Sequence, residues 1–119
     1  MTNVFLADSQ PEDRSVIRGI VEGLKMNVVG DVDNWEALLT QVQNSNSDLL
    51  LVDWGLINPK SGATLDQLRK VCPQTVAIIL ISAMDVDEQA AHSAGANAFI
   101  SKNETANQVA NLIKKAALM

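Results

Sequence analysis

The chain reads as an α/β domain, a parallel sheet covered on both faces by helices. Two observations predict it. Apolar runs of strand length alternate five times with stretches whose apolar residues recur at helical spacing. The central runs, in "DLLLVD" and "VAIILIS", are continuously apolar, as strands buried on both faces must be. At 119 residues the chain has room for one compact domain, and we expect a single domain over residues 1–119.

The elements follow in order. "NVFLAD", Asn3 to Asp8, is the first strand. A helix comes next, with Val16, Ile17, Ile20, Val21 and Leu24 on one face. Ser9 and Glu12 stand at capping-box spacing and are expected to start it. "MNVVGDV" is the second strand, and the helix after it carries Leu38, Leu39 and Val42. "DLLLVD" is the third strand. A loop rich in Gly, Pro and Asn leads to a helix with Leu65, Leu68 and Cys72, stopped by Pro73. "VAIILIS" is the fourth strand, followed by an Ala-rich helix from about Val86 to Ala94 that ends at Gly95. "AFIS" is a short fifth strand. The last helix opens on Thr105 and Gln108, again a capping box, and buries Val109, Leu112, Ile113 and Ala116.

Composition narrows the function classes. Apolar residues make up 47%, enough for a real core, and the net charge is -5. An acidic domain is a poor binder of nucleic acid or anionic membranes, so neither is expected of this domain itself. One cysteine, Cys72, cannot form an internal disulfide, and no apolar stretch is long enough to span a bilayer; a cytoplasmic location is expected. A flavin or nucleotide enzyme is disfavoured. No Gly-rich or Ser/Thr-rich phosphate loop follows the first strand, and aromatics total only 3%, leaving few rings to stack on a flavin.

In parallel sheets of this kind the functional crevice lies beyond the carboxyl ends of the strands. There the sequence places Asp8 and Ser9, then Asp53, then Ser82 and Ala83, then Ser101 and Lys102. Two acids, a hydroxyl and an amine should converge. Adjacent carboxylates repel unless a cation lies near; Lys102 supplies one and Mg²⁺, which prefers oxygen ligands, would supply another. Such a site suits receipt of a phosphoryl group, with the Asp53 carboxylate as nucleophile. In isolation each residue has a plainer reading: Asp53 a loop acid, Ser82 a strand terminator, Lys102 a solvated surface lysine, Phe99 core. Trp54 beside Asp53 either shields the site or marks a contact surface. His92, the only histidine, has no second ligand candidate and is read as surface or partly packed, neither metal ligand nor catalytic base.

Four anchors in the correct order, "FLADSQP", "LLLVDWG", "IILISA" and "GANAFISK", carry a resemblance over essentially the whole chain to the receiver domains of two-component response regulators. "VVGDVDNWEALL" further resembles receivers that precede LuxR-type helix-turn-helix domains, the LuxR/NarL-type regulators. The resemblance implies a flavodoxin-like (CheY-like) doubly wound sheet of strand order 2-1-3-4-5 with five helices. It implies Asp53 as phosphoacceptor. Asp8, Asp53 and the Gly55 backbone carbonyl would hold Mg²⁺. Ser82 would be the switch hydroxyl, Ala83 the small residue that keeps the acceptor accessible, Lys102 the partner of the phosphoryl oxygens and Phe99 the aromatic that couples site to output face. It implies a sensor histidine kinase as partner, a weak homodimer, a DNA-binding domain downstream and a signalling role rather than an enzyme's.

Two features depart from the pattern. Ser9 stands where the family usually has a second acid, which weakens the expected Mg²⁺ site. The loop "DWGLINPKSG" is one residue longer than usual, with Pro59 six and Gly62 nine residues after Asp53. Asn103 follows Lys102 where many receivers have proline. Ser9 and the longer loop support the alternative, a receiver fold acting as a phosphorylation-independent interaction module.

Overall fold

A computed structural model describes residues 2–73, 75, 77–82 and 88–118. Five strands, β1 (Asn3–Ala7), β2 (Asn27–Val32), β3 (Leu49–Asp53), β4 (Ala77–Ser82) and β5 (Ala98–Ser101), form one sheet. Its order is β2-β1-β3-β4-β5 and every neighbouring pair is parallel, the flavodoxin-like arrangement. The helices are α1 (Pro11–Gly23), α2 (Trp35–Val42), α3 (Leu65–Val71), α4 (Glu88–Ser93) and α5 (Ala106–Ala117). The expected first turn of α4 at Val86, the start of the fourth strand at Val76, and Ala83 lie outside the described residues.

Alternation along each strand divides the core in two. Phe5, Ala7, Leu50, Val52, Ile78 and Leu80 face α2, α3 and α4. Val4, Leu6, Leu49, Leu51, Ile79 and Ile81 face Ile17 and Val21 of α1 and Val109, Ile113 and Ala116 of α5. Successive residues point to opposite faces, so an unbroken apolar run serves both layers. Val16 does not join its expected neighbours: it is 61% exposed, because the helical period that buries Ile17 and Val21 turns it outward.

Local chemistry sets the helix ends. The Asn34 side chain accepts a hydrogen bond from the Ala37 N–H at 2.8 Å, capping α2. Thr64 does the same for α3, which ends before Pro73. α5 has the expected capping box: Thr105 Oγ1 accepts from the Gln108 N–H and Gln108 Oε1 from the Thr105 N–H. The start of α1 corrects the sequence reading. Ser9 is not its cap; Gln10 is, with no side-chain cap bond, and Pro11 opens the helix. Proline suits the first helical position, having no N–H to satisfy and a φ already helical. The Asp8 carboxylate organises the approach instead, accepting from the Gln10 N–H at 2.9 Å.

Two further features fix the sheet. β2 slips one residue against β1 between Val4 and Phe5, leaving Val29 as the extra residue of a bulge. The slip sets Gly30 against the Phe5 ring, where a Cβ would stand 2.0 Å from Cε2. At the other side, the Asn97 side-chain oxygen accepts from the Ile78 N–H (2.9 Å) and from Arg69 Nη2 (2.7 Å), which also donates to the Gly95 carbonyl (2.8 Å). The entry of β5 is thereby fastened to β4 and α3.

Gly30→Ala should destabilise the fold by about 1–3 kcal/mol, since Phe5 is buried and must shift. Gly19→Ala, exposed within α1 with nothing near its would-be Cβ, should stabilise by about 0.5–1 kcal/mol. Urea unfolding of the two variants checks both signs; a neutral Gly30→Ala would mean that the ring does not occupy that space.

Candidate functional site

Parallel pairing brings the strand exits side by side. Ala7 pairs with Val52, Asp53 with Ile81, and Ser82 with Ser101. Asp8 follows β1 directly, Asp53 ends β3, Ser82 ends β4, and Lys102 follows β5. The ladder runs one step beyond β5, where the Lys102 N–H donates to the Ser82 carbonyl at 2.8 Å.

The Lys102 ammonium is the centre of the site. Nζ lies 2.7 Å from Asp8 Oδ2, 3.0 Å from Asp13 Oδ2 and 3.4 Å from Asp53 Oδ1. Its side chain is only 10% exposed. Burial pulls the ammonium's pKa down, but hydrogen bonds to Asp8 and Asp13 and the nearby Asp53 charge outweigh it; the net shift is upward. Asp53 moves the same way for a different reason. Burial raises its carboxyl first, and the Asp8 charge raises it further, against opposition from Lys102 and a backbone hydrogen bond from Gly55. Glycine at 55 permits that close approach: a Cβ there would lie 3.1 Å from Asp53 Oδ2.

Asp8 is held from several sides. Its N–H donates to the Val32 carbonyl at 3.0 Å, and Arg14 Nη1 donates to its carbonyl at 2.7 Å. Arg14 also pairs with Asp31, as does Arg18 at 3.1 Å. An opening of about 210 Å³ is lined by Asp13, Asp53, Trp54, Gly55, Ser82 and Lys102, with Gln10 at its rim.

Most of the residues expected at the site from sequence therefore meet. Asp8, Asp53, Gly55, Ser82 and Lys102 gather at one edge of the sheet, and Ser82 is buried. Ser9 is exposed and does not line the opening. Phe99 sits partly buried in β5 against the α2–α4 side of the core. The loop after β3 folds on itself: Trp54–Leu56 and Pro59–Ser61 make short helical turns, and Asn58 bridges to Ala63. His92 is exposed, as read. Sequence reasoning missed Asp13 and Arg14. Both lie in the first turn of α1, where an acid is ordinarily explained by the helix dipole.

Chemically, the crevice offers a partly buried carboxylate, Asp53, beside a fixed cation and a second, buried carboxylate, Asp8. Among the described residues no group of three or more His, Cys, Asp or Glu side chains is disposed to hold a metal. Two carboxylates and a carbonyl still suit Mg²⁺, which commonly keeps several waters. Among the described residues, no helix is long and apolar enough to cross a membrane.

This fold and this crevice define a receiver-type signalling module. Residues 4–114 match the response regulator receiver domain family, and the chain belongs to it. A search of curated proteins returned no match. Among solved structures, the chain is similar to the signal receiver domain of the response regulator NarL from Mycobacterium tuberculosis (24% identity, TM-score 0.78, covering 98% of this chain and 96% of that one). It is also similar to the isolated receiver of RcsB from Salmonella enterica serovar Typhimurium (19%, 0.80, 95% and 86%). A response regulator from Thermotoga maritima is a third (22%, 0.79, 100% and 99%).

The raised Asp53 carboxyl has a consequence for stability. A folded-state pKa above the unfolded one means that the folded chain holds the proton more tightly. This group's contribution is then present in acid and lost as pH rises through the raised value. Asp53→Asn should therefore raise Tm at neutral pH, without divalent cations, by about 2–4 °C. Lys102 keeps Asp8 and Asp13 as partners in the variant. The gain should shrink as pH falls toward the ordinary carboxyl value of 3.8. Thermal melts across pH check it; a lower Tm at neutral pH would show that the ionised carboxylate is not disfavoured.

Proposed function

We propose that this receiver domain is a phosphorylation-driven switch, with Asp53 as the acceptor of a phosphoryl group from a sensor histidine kinase. The observation that carries the reading is the Asp53 carboxylate at the exit of β3, 3.4 Å from the Lys102 ammonium that also binds Asp8. An Asp53 oxygen attacks the phosphorus of a phosphohistidine. A P–O bond forms, the P–N bond breaks, and the electron pair leaves with the imidazole nitrogen. Asp53 enters as the carboxylate and has no proton to lose. Lys102 donates to the new phosphoryl oxygens, and the Ser82 hydroxyl, lining the same opening, turns toward them. Asp8, Asp53 and the Gly55 carbonyl would hold Mg²⁺, which when bound supplies positive charge to the phosphoryl oxygens. Phe99, half in the core and half out, couples the exit of β5 to the outer face. Ala83 is assigned the small position that keeps the acceptor accessible.

The output is transcriptional regulation through a DNA-binding domain outside this chain, with a homodimer as the active form. The chain's net charge of -5 suits a domain that does not itself touch DNA. Support comes from similar structures: RcsB bound to promoter rprA, and two RcsB dimers bound to two parallel DNAs. Ser9 is the observation that favours the phosphorylation-independent reading, because a neutral exposed residue stands where a second acid is usual.

Incubation with a small phosphodonor and Mg²⁺ should add one phosphoryl mass to the intact protein and none to Asp53→Asn. Uptake by the variant overturns the acceptor assignment, and no uptake by the native chain favours the interaction module. Ser9→Asp should tighten Mg²⁺ by adding a hard charged oxygen at the exposed residue next to Asp8, just outside the opening. Without metal it should be less stable, and Mg²⁺ should recover the loss by binding the folded state. Thermal melts over a Mg²⁺ titration check this; equal stabilisation of variant and native chain would put residue 9 away from the metal.

A further inference from the structure

We propose that Asp13 is a positioning residue that tethers Lys102 in the unmodified protein and competes with the phosphoryl group for its ammonium. The proposal rests on the phosphoacceptor reading of Asp53 and assigns a regulator to that same site. An ammonium has three N–H donors. Here they face three carboxylates, but unequally: Asp8 at 2.7 Å, Asp13 at 3.0 Å and Asp53 at 3.4 Å. Lys102 thus leans toward α1 and away from the acceptor. A phosphoryl group on Asp53 adds three strong acceptor oxygens; the donor that faces Asp53 turns to one of them, and to make a second bond Lys102 must release Asp8 or Asp13.

Burial decides which. The Asp8 side chain is 7% exposed, and stripping a buried carboxylate of its cation is strongly unfavourable. The Asp13 side chain is 42% exposed, so water replaces the ammonium there at little cost. The opening offers the path, since Asp13, Asp53 and Lys102 line it together. Asp13 is accordingly the contact that gives way, and its grip sets how readily Lys102 reaches the modified acceptor.

Beryllofluoride with Mg²⁺, a mimic of the phosphoryl group, tests this by isothermal titration calorimetry on four forms: native, Asp13→Asn, Asp13→Glu and Glu12→Gln. Asp13→Asn should bind about two- to fivefold more tightly than the native chain, the range expected for releasing a partly exposed ion pair. Asp13→Glu should return toward the native affinity, because it restores the competitor. Glu12→Gln removes the same charge one residue earlier, on the exposed face of α1, and should change affinity less than Asp13→Asn. Asp13→Ala carries the same expectation as Asp13→Asn and stands in if that variant fails to fold. Affinity of Asp13→Asn no greater than that of Glu12→Gln overturns the tether while leaving Asp53 as acceptor. Failure of all forms to bind beryllofluoride overturns the acceptor reading and the tether with it.

Discussion

One ammonium group holds the functional edge of this molecule together. Lys102 Nζ joins carboxylates that arrive on the exit of β1, the exit of β3 and the first turn of α1. Without it, Asp8 and Asp53 would be two largely buried like charges with no cation between them, an arrangement that raises carboxyl pKa values and opposes folding. The parallel sheet makes the convergence unavoidable, because every strand ends at the same edge. A fold of this topology that carries acids there must also carry a cation. Lys102 is fixed in place by the ladder bond from its own N–H to the Ser82 carbonyl.

A second cation works one layer out. Arg14 binds the Asp8 carbonyl and pairs with Asp31 of β2, so the exit of β1 is held from the helix side as well. The two cations divide the work: Lys102 neutralises side chains in the crevice, while Arg14 fastens backbone behind it. Asp8 is consequently held from both sides, whereas the Asp13 side chain is 42% exposed.

The sheet and most of the site were legible because they depend on short-range patterns. Continuous apolar runs flanked by amphipathic stretches determine layers and direction, and an acid or amine just after such a run must lie at the crevice. Asp8, Asp53, Ser82 and Lys102 were located this way. The misses depend on pairings across the chain or on competition between neighbours. Asp13 meets Lys102 across 89 positions, and an acid in a first helical turn looks like a dipole complement. The spacing of Ser9 to Glu12 suits a cap, but Pro11 is better suited to open the helix and moves its start one residue on. The bulge at Val29 is invisible without the partner strand, since register is a property of two strands. Helical spacing groups Val16 with Ile17 on one face, but adjacent residues lie about 100° apart on a helix, and Val16 falls outside the buried stripe.

The fastening at Asn97 gives β5 a mechanical character. This strand is an edge of the sheet and only four residues long. Its entry is clamped by Asn97 to β4 and to Arg69 of α3, and its exit carries Lys102. It is a cantilever, built in at one end and loaded at the other. Phe99 sits on the span between the clamp and the charge, partly buried against the helical layer. The fixed end and the charged end of this strand are thus only a few residues apart, and its one aromatic side chain lies between them.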